Sequence, residues 1–137
     1  MRVILDSNVL LSAFFKFDSP PFKLVHAWMD GRFELVSCAE QIEEIMRVTR
    51  YPQIRRLIEP TEAGWLINRL RDRAALVSKL LPVDISADPA DNFLFSLAQA
   101  SEANYLVTGD RSDVLSHRKY ASTQIVTARE MASVLKI

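Results

Sequence analysis

Short apolar runs, each bounded by polar residues, recur along the chain. Consecutive apolar positions in so short a run are typical of a strand covered on both faces in a parallel sheet. The runs predict five strands, at 2–5, 33–36, 81–85, 105–108 and 124–126.

Between these runs, apolar residues recur at helical spacing. Ser19 followed by Pro20 and Pro21 predicts a helix start, and Thr127 with Glu130 has the spacing of a capping box. Further helices are predicted over 39–49, from 61 to 75 and over 91–103. Strands that alternate with helices predict an α/β fold, a three-layer sandwich.

Length and composition fit one folded domain spanning 1–137. The chain has 137 residues, 49% of them hydrophobic and 25% charged. These values are ordinary for a globular protein and far from those of disordered chains. No repeat or linker divides the sequence, and 82–90 is the one long polar loop.

Overall charge and cysteine content exclude several classes of protein. Seventeen basic and seventeen acidic residues give zero net charge, so attraction to nucleic acid or anionic lipid must be local. The single cysteine, Cys38, excludes a disulfide framework and fits a reducing cytoplasm. No signal peptide or membrane-spanning run is apparent, so we expect a cytoplasmic protein without a membrane partner.

Carboxylates stand at several strand and helix boundaries. Asp6 follows the first strand, Asp110 follows the fourth, and Asp91 precedes an apolar helix. Ligands bind at the carboxyl ends of the strands in open α/β sheets, so Asp6 and Asp110 are candidates for one site. Glu44 lies at the margin of the buried face of its helix, while Glu43 points further out.

Each of these residues alone also has a structural explanation. Asp6 or Asp91 could cap a helix, and Gly109 with Asp110 could form a turn. Several carboxylates close together, however, repel one another unless a cation lies between them. Oxygen ligands without histidine or thiolate select Mg²⁺ or Mn²⁺.

Basic residues form two clusters that could contact a phosphate backbone. Such clusters are usually solvated faces, but beside an acidic metal site they would supply the local attraction that a neutral protein lacks. The clusters are Arg47, Arg50, Arg55 and Arg56, and Arg118 with Lys119.

Four stretches together resemble the PilT N-terminus (PIN) domain family, specifically the branch of toxin–antitoxin toxins. They are VILDSNVLLSA, EQIEEIMRVTRYP, DPADNFLFSLAQASEANYLVTGD and QIVTAREM. The resemblance implies a three-layer α/β/α sandwich with a central parallel five-stranded sheet and a Mg²⁺- or Mn²⁺-dependent ribonuclease centre. It assigns catalytic and metal-binding roles to Asp6, Glu44, Asp91 and Asp110. Asp113 matches a further metal-binding acid.

The function implied is endonucleolytic cleavage of single-stranded RNA by a toxin. Its expected partners are RNA, a small antitoxin protein and a second copy of the chain in a homodimer. The alternative is a non-catalytic, PIN-like protein that binds RNA or a partner. Two other enzymes fit less well. A haloacid-dehalogenase-type phosphatase requires a carboxylate where Asn8 stands, and a Rossmann domain requires a glycine-rich first loop.

Overall fold

A computed structural model describes all 137 residues, and in it a single β-sheet lies between helices. The sheet has the strand order β3-β2-β1-β4-β6-β5. Its strands are β1 (Arg2–Leu5), β2 (Glu34–Cys38), β3 (Ala75–Val77), β4 (Tyr105–Thr108), β5 (Lys119–Tyr120) and β6 (Thr123–Thr127). The helices are α1 (Ser7–Ser12), α2 (Pro20–Met29), α3 (Ala39–Val48), α4 (Pro52–Arg55), α5 (Pro60–Arg73), α6 (Asn92–Ser101) and α7 (Ala128–Leu135). Short 3-10 turns cover Pro89–Asp91 and Val114–His117.

The predicted α/β sandwich is confirmed, and five of its strands are parallel. β1 is central and pairs in parallel with β2 on one side and with β4 on the other. The sixth strand, β5, was not predicted. It has two residues and pairs antiparallel with β6 at the sheet edge.

The third predicted strand is wrong in position. The sequence predicted it at 81–85, but β3 is Ala75–Val77, and residues 78–88 form a loop. The loop is bound to α6 instead of the sheet. The Asn92 side chain accepts from the backbone N–H groups of Ile85 and Ser86, and the Ser96 hydroxyl donates to the Leu81 carbonyl.

Two predicted helix starts are confirmed by their capping residues, and the start of a third helix is corrected. Ser19 accepts a hydrogen bond from the Phe22 N–H, and Thr127 with Glu130 forms the predicted capping box. The helix predicted from 61 to 75 begins at Pro60 and ends at Arg73. Glu59 caps it, because its carboxylate and that of Glu62 satisfy each other's backbone N–H groups.

Two apolar layers cover the two faces of the sheet. The larger packs α1, α2, α3, α5 and α7 on one face, with Leu10, Leu24, Ile45 and Leu66 buried. The smaller packs α6 on the other face through Leu94, Phe95 and Leu97. With both faces covered, the carboxyl edge of β1 and β4 is where polar side chains collect.

Candidate metal centre

Asp6 lies directly after β1, at the middle of this edge. Its N–H donates to the Val107 carbonyl at 2.9 Å, which places it opposite Thr108 on β4. Its side chain is buried, and its Oδ2 accepts a hydrogen bond from the Thr108 hydroxyl at 2.7 Å. Burial raises the pKa of Asp6, and the Thr108 hydrogen bond opposes that rise. Asp6 is thus a buried carboxylate held in a fixed orientation.

Asp91 lies where the 3-10 turn Pro89–Asp91 meets α6. The pKa of Asp91 is raised to about 6, chiefly by partial burial and then by the negative charges of Asp6, Asp88, Glu44 and Asp113, in that order. Its carboxylate accepts no capping hydrogen bond from α6. The capping role that the sequence left open for Asp91 is therefore not seen, and the side chain stands among other acids.

The glutamates of α3 face different ways. Glu44 is half-buried, and its charge raises the pKa of both Asp6 and Asp91. Glu43 is exposed and lies in a groove with Arg47 and Arg50. The two adjacent glutamates thus lie in different electrostatic surroundings, and Glu44 alone belongs to the acidic group.

The turn after β4 separates Asp110 from Asp113. Asp113 lines a cleft with Asp6 and Asp91, together with Asn8, Gly109, Arg111 and Ser112, and no hydrophobic side chain lines it. We call this the acidic cleft. Asp110 is exposed and lines a neighbouring cleft instead, with Pro20, Pro21 and Arg129 among its walls.

We call this second cleft the side cleft. Asn8 and Gly109 line it as well as the acidic cleft. The structure therefore brings Asp6, Glu44, Asp91 and Asp113 together and leaves Asp110 outside that group. The metal-binding role of Asp110 stays a prediction.

Sequence reasoning missed Thr108 and Gln41. Pairing of Leu5 with Val107 places Thr108 beside Asp6, so a parallel alignment of β1 and β4 would have indicated it. Gln41 is fully buried beneath the site, where its amide donates to the Leu5 carbonyl at 2.7 Å and its oxygen accepts from the Ser37 hydroxyl. These bonds connect α3 and β2 to the end of β1, so they fix Glu44 relative to Asp6.

The acidic cleft also contains a basic side chain that the sequence patterns did not indicate. Arg111 lines the acidic cleft and forms no ion pair. Arg118, from a predicted cluster, is paired with Glu130 at 2.9 Å. Arg50 and Arg55 of the other cluster line a groove between α3 and α5. The basic groups thus surround the site unevenly, with Arg111 inside it.

Cys38 is buried at the end of β2. Burial raises the pKa of its thiol to about 11, with smaller contributions from Glu40 and Glu44. The thiol is therefore protonated at neutral pH, and Cys38 is unsuited to act as a nucleophile.

The donors of the acidic cleft fit a hard divalent cation. They are carboxylate oxygens, and a cation among them would offset the repulsion that raises the pKa of Asp91. No three of the chain's acidic, histidine or cysteine side chains are grouped tightly enough to enclose an ion as they stand. A bound ion would therefore draw the carboxylates closer together or complete its shell with water, as Mg²⁺ commonly does.

The family model for the PIN domain matches residues 2–112. The chain belongs to the PIN domain family. The match includes Asp6, Glu44, Asp91 and Asp110, and it ends one residue before Asp113. PIN domains are typically metal-dependent nucleases, so membership gives this PIN domain a nuclease-type function. Among curated proteins no match to the chain is found. None of its helices is both long and apolar enough to cross a bilayer.

Proposed function

We propose that this PIN domain is a Mg²⁺- or Mn²⁺-dependent endoribonuclease that hydrolyses single-stranded RNA. The observation that carries the proposal is the buried Asp6 carboxylate at the end of the central strand, with Asp91 and Glu44 beside it. A buried acid among other acids costs stability, and a cation-dependent activity explains why the fold keeps it.

The side chains of the cleft would have different roles in this reaction. Asp6, Glu44, Asp91 and Asp113 would hold the ion, directly or through water. When bound, the ion would lower the pKa of a water molecule and offset charge on the phosphate. Thr108 orients Asp6 through its hydrogen bond, which also favours the ionised form of the carboxylate. Arg111, unpaired at the cleft, would attract the RNA phosphate.

The direct test is cleavage of a labelled single-stranded RNA by purified protein with Mn²⁺. We expect cleavage to stop with chelator and with Asp6→Asn. Retained activity in either case would contradict the proposal.

The two α3 glutamates supply a matched pair of variants. Glu44→Gln should lower kcat at least tenfold, since a residue beside the reacting centre is removed. Glu43→Gln removes the same charge one residue away and should leave kcat within about twofold, because its side chain faces Arg47 and Arg50. Equal losses in both variants would mean that charge near α3, and not Glu44 itself, matters. Circular dichroism of both proteins would verify folding.

The competing function is RNA or partner binding without catalysis. Calorimetric titration with Mn²⁺ separates the two, because the nuclease requires binding that Asp6→Asn weakens. Absence of any heat of binding would favour the binding protein.

We extend the proposal to a toxin whose activity a small antitoxin protein blocks. Its support is the resemblance to the toxin branch. Exposed aromatic side chains, Phe15 and Phe17, also offer a surface for an antitoxin or for a homodimer. Expression of the chain in a bacterial host should arrest growth, while Asp6→Asn should not. Equal growth of the two cultures would contradict the toxin role and leave the nuclease proposal standing.

A further inference from the structure

We infer that the side cleft binds the nucleotide adjacent to the scissile phosphate, with Arg129 as its phosphate contact. The inference rests on the proposed function, since it needs an RNA strand in the acidic cleft. It adds a subsite on the far side of Asn8 and Gly109, built from α2 and α7.

The two clefts are adjacent and share two lining residues. Asn8 and Gly109 line both of them, so one side chain and one bare backbone position separate the clefts. No heavy atom lies within 4 Å of where a Cβ on Gly109 would stand. A strand whose phosphate lies in the acidic cleft can therefore continue over Gly109 into the side cleft.

Arg129 is a free cation at the far wall. It is exposed and forms neither an ion pair nor a side-chain hydrogen bond. Its neighbour Glu130 cannot neutralise it, because the Glu130 carboxylate is bound by Arg118 and by the Thr127 N–H. An unpaired guanidinium beside a polyanion site is suited to bind a phosphate.

The remaining walls orient the nucleotide. Asp110 lies in the same cleft but not within ion-pair distance of Arg129, and its negative charge repels phosphate. Pro20 and Pro21 are half-buried and present apolar rings. The phosphate would thus lie at Arg129, with the ribose or base against the prolines. The expected occupant is one nucleotide of the same RNA strand.

Lys136 provides a control of equal charge. It is exposed and forms no ion pair. It directly follows the last residue of α7, whereas Arg129 lies in the first turn of that helix. Lys136→Gln therefore removes one positive charge at the opposite end of α7 from the side cleft.

The experiment compares Arg129→Gln with Lys136→Gln. We expect Arg129→Gln to raise KM for a single-stranded RNA oligonucleotide roughly tenfold with kcat within about twofold, as loss of one charge-assisted contact predicts. Lys136→Gln should match the wild type. In the Asp6→Asn background, fluorescence anisotropy with the same RNA should show the same loss of affinity. The slope of log affinity against log salt should also fall by about 0.7, the value for one phosphate contact.

The outcomes separate this inference from the nuclease proposal. If the wild type cleaves RNA and Arg129→Gln equals Lys136→Gln in KM and in affinity, the subsite is overturned and the nuclease stands. If the wild type does not cleave but Arg129→Gln alone loses RNA affinity, the nuclease fails and the phosphate contact stands. A fall in kcat with unchanged KM would also overturn the subsite, because Arg129 would then act on the reaction and not on binding.

Discussion

Replacement of Asp91 by asparagine should stabilise the protein in the absence of metal. The pKa of Asp91 is raised to about 6 because the side chain is partly buried and stands near Asp6, Asp88, Glu44 and Asp113. At neutral pH Asp91 is therefore mostly ionised, although burial and repulsion both disfavour its charged form. Asparagine has nearly the same shape but no charge, so the folded variant lacks this unfavourable burial and repulsion.

The size of this stabilisation and its dependence on pH follow from the raised pKa of Asp91. A rise from 3.8 to about 6 corresponds to roughly 3 kcal/mol in a fully buried site. Asp91 is partly exposed, and solvent screening reduces the expected gain to about 1–2 kcal/mol. Because the folded-state pKa is raised, the wild type loses stability as pH rises from about 4 to about 6. The advantage of Asp91→Asn should thus be absent below about pH 4 and complete above about pH 6.5.

Thermal unfolding followed by circular dichroism measures this difference. Without metal at neutral pH, Asp91→Asn should melt several degrees above the wild type, given about 3–5 °C for each kcal/mol in a chain of this size. Asp84→Asn is the control, since Asp84 is exposed in the preceding loop and is not among the charges that raise the pKa of Asp91. With saturating Mn²⁺ the order should reverse, because ion binding stabilises only a protein that keeps its ligands.

Two results would refute this reasoning. If Asp91→Asn melts below the wild type without metal, then burial and repulsion of the Asp91 charge do not destabilise the folded protein. If Mn²⁺ raises the melting temperature of Asp91→Asn as much as that of the wild type, then Asp91 does not take part in ion binding.

Two further predictions concern the residues that support Asp6. Thr108→Val removes the hydrogen bond that lowers the pKa of Asp6, so the acid limb of the kcat/KM–pH profile should move to higher pH. An unmoved limb would show that Asp6 ionisation does not control the rate. Gln41→Met leaves the Leu5 carbonyl without its side-chain donor and should lower the free energy of unfolding by about 1–3 kcal/mol. Urea denaturation measures this loss, and the exposed Gln53→Met should show none.

The buried central strands could be predicted from the sequence, whereas the strands at the two sheet edges, β3 and β5, could not. β1 and β4 are consecutive buried apolar residues, which is the pattern of central parallel strands. β3 has three residues, is partly exposed and follows α5 without a glycine or proline to mark the boundary. The apolar residues of 81–85 are more strand-like in sequence, but they serve a loop packed on α6.

The sequence was sufficient to predict which elements meet at the candidate site, but not the direction of every side chain there. The position of Asp6 follows from the strand that precedes it, and the place of Glu44 follows from helical spacing. The directions of Asp110 and Asp113 depend on the turn between them, where the Ser112 N–H bonds to the Gly109 carbonyl. Neighbouring residues of a tight turn point in different directions, and no residue pattern fixes which carboxylate faces Asp6.

The hydrogen bond between Thr108 and Asp6 joins residues that are 102 positions apart. The acidic cleft therefore requires β4 to pair with β1 across most of the chain, and it cannot exist while the C-terminal third is still inside the ribosome. A nascent chain with β1 already synthesised carries Asp6 but no assembled cleft. If this PIN domain cleaves RNA as proposed, this order of assembly would protect the messenger RNA that is still being translated.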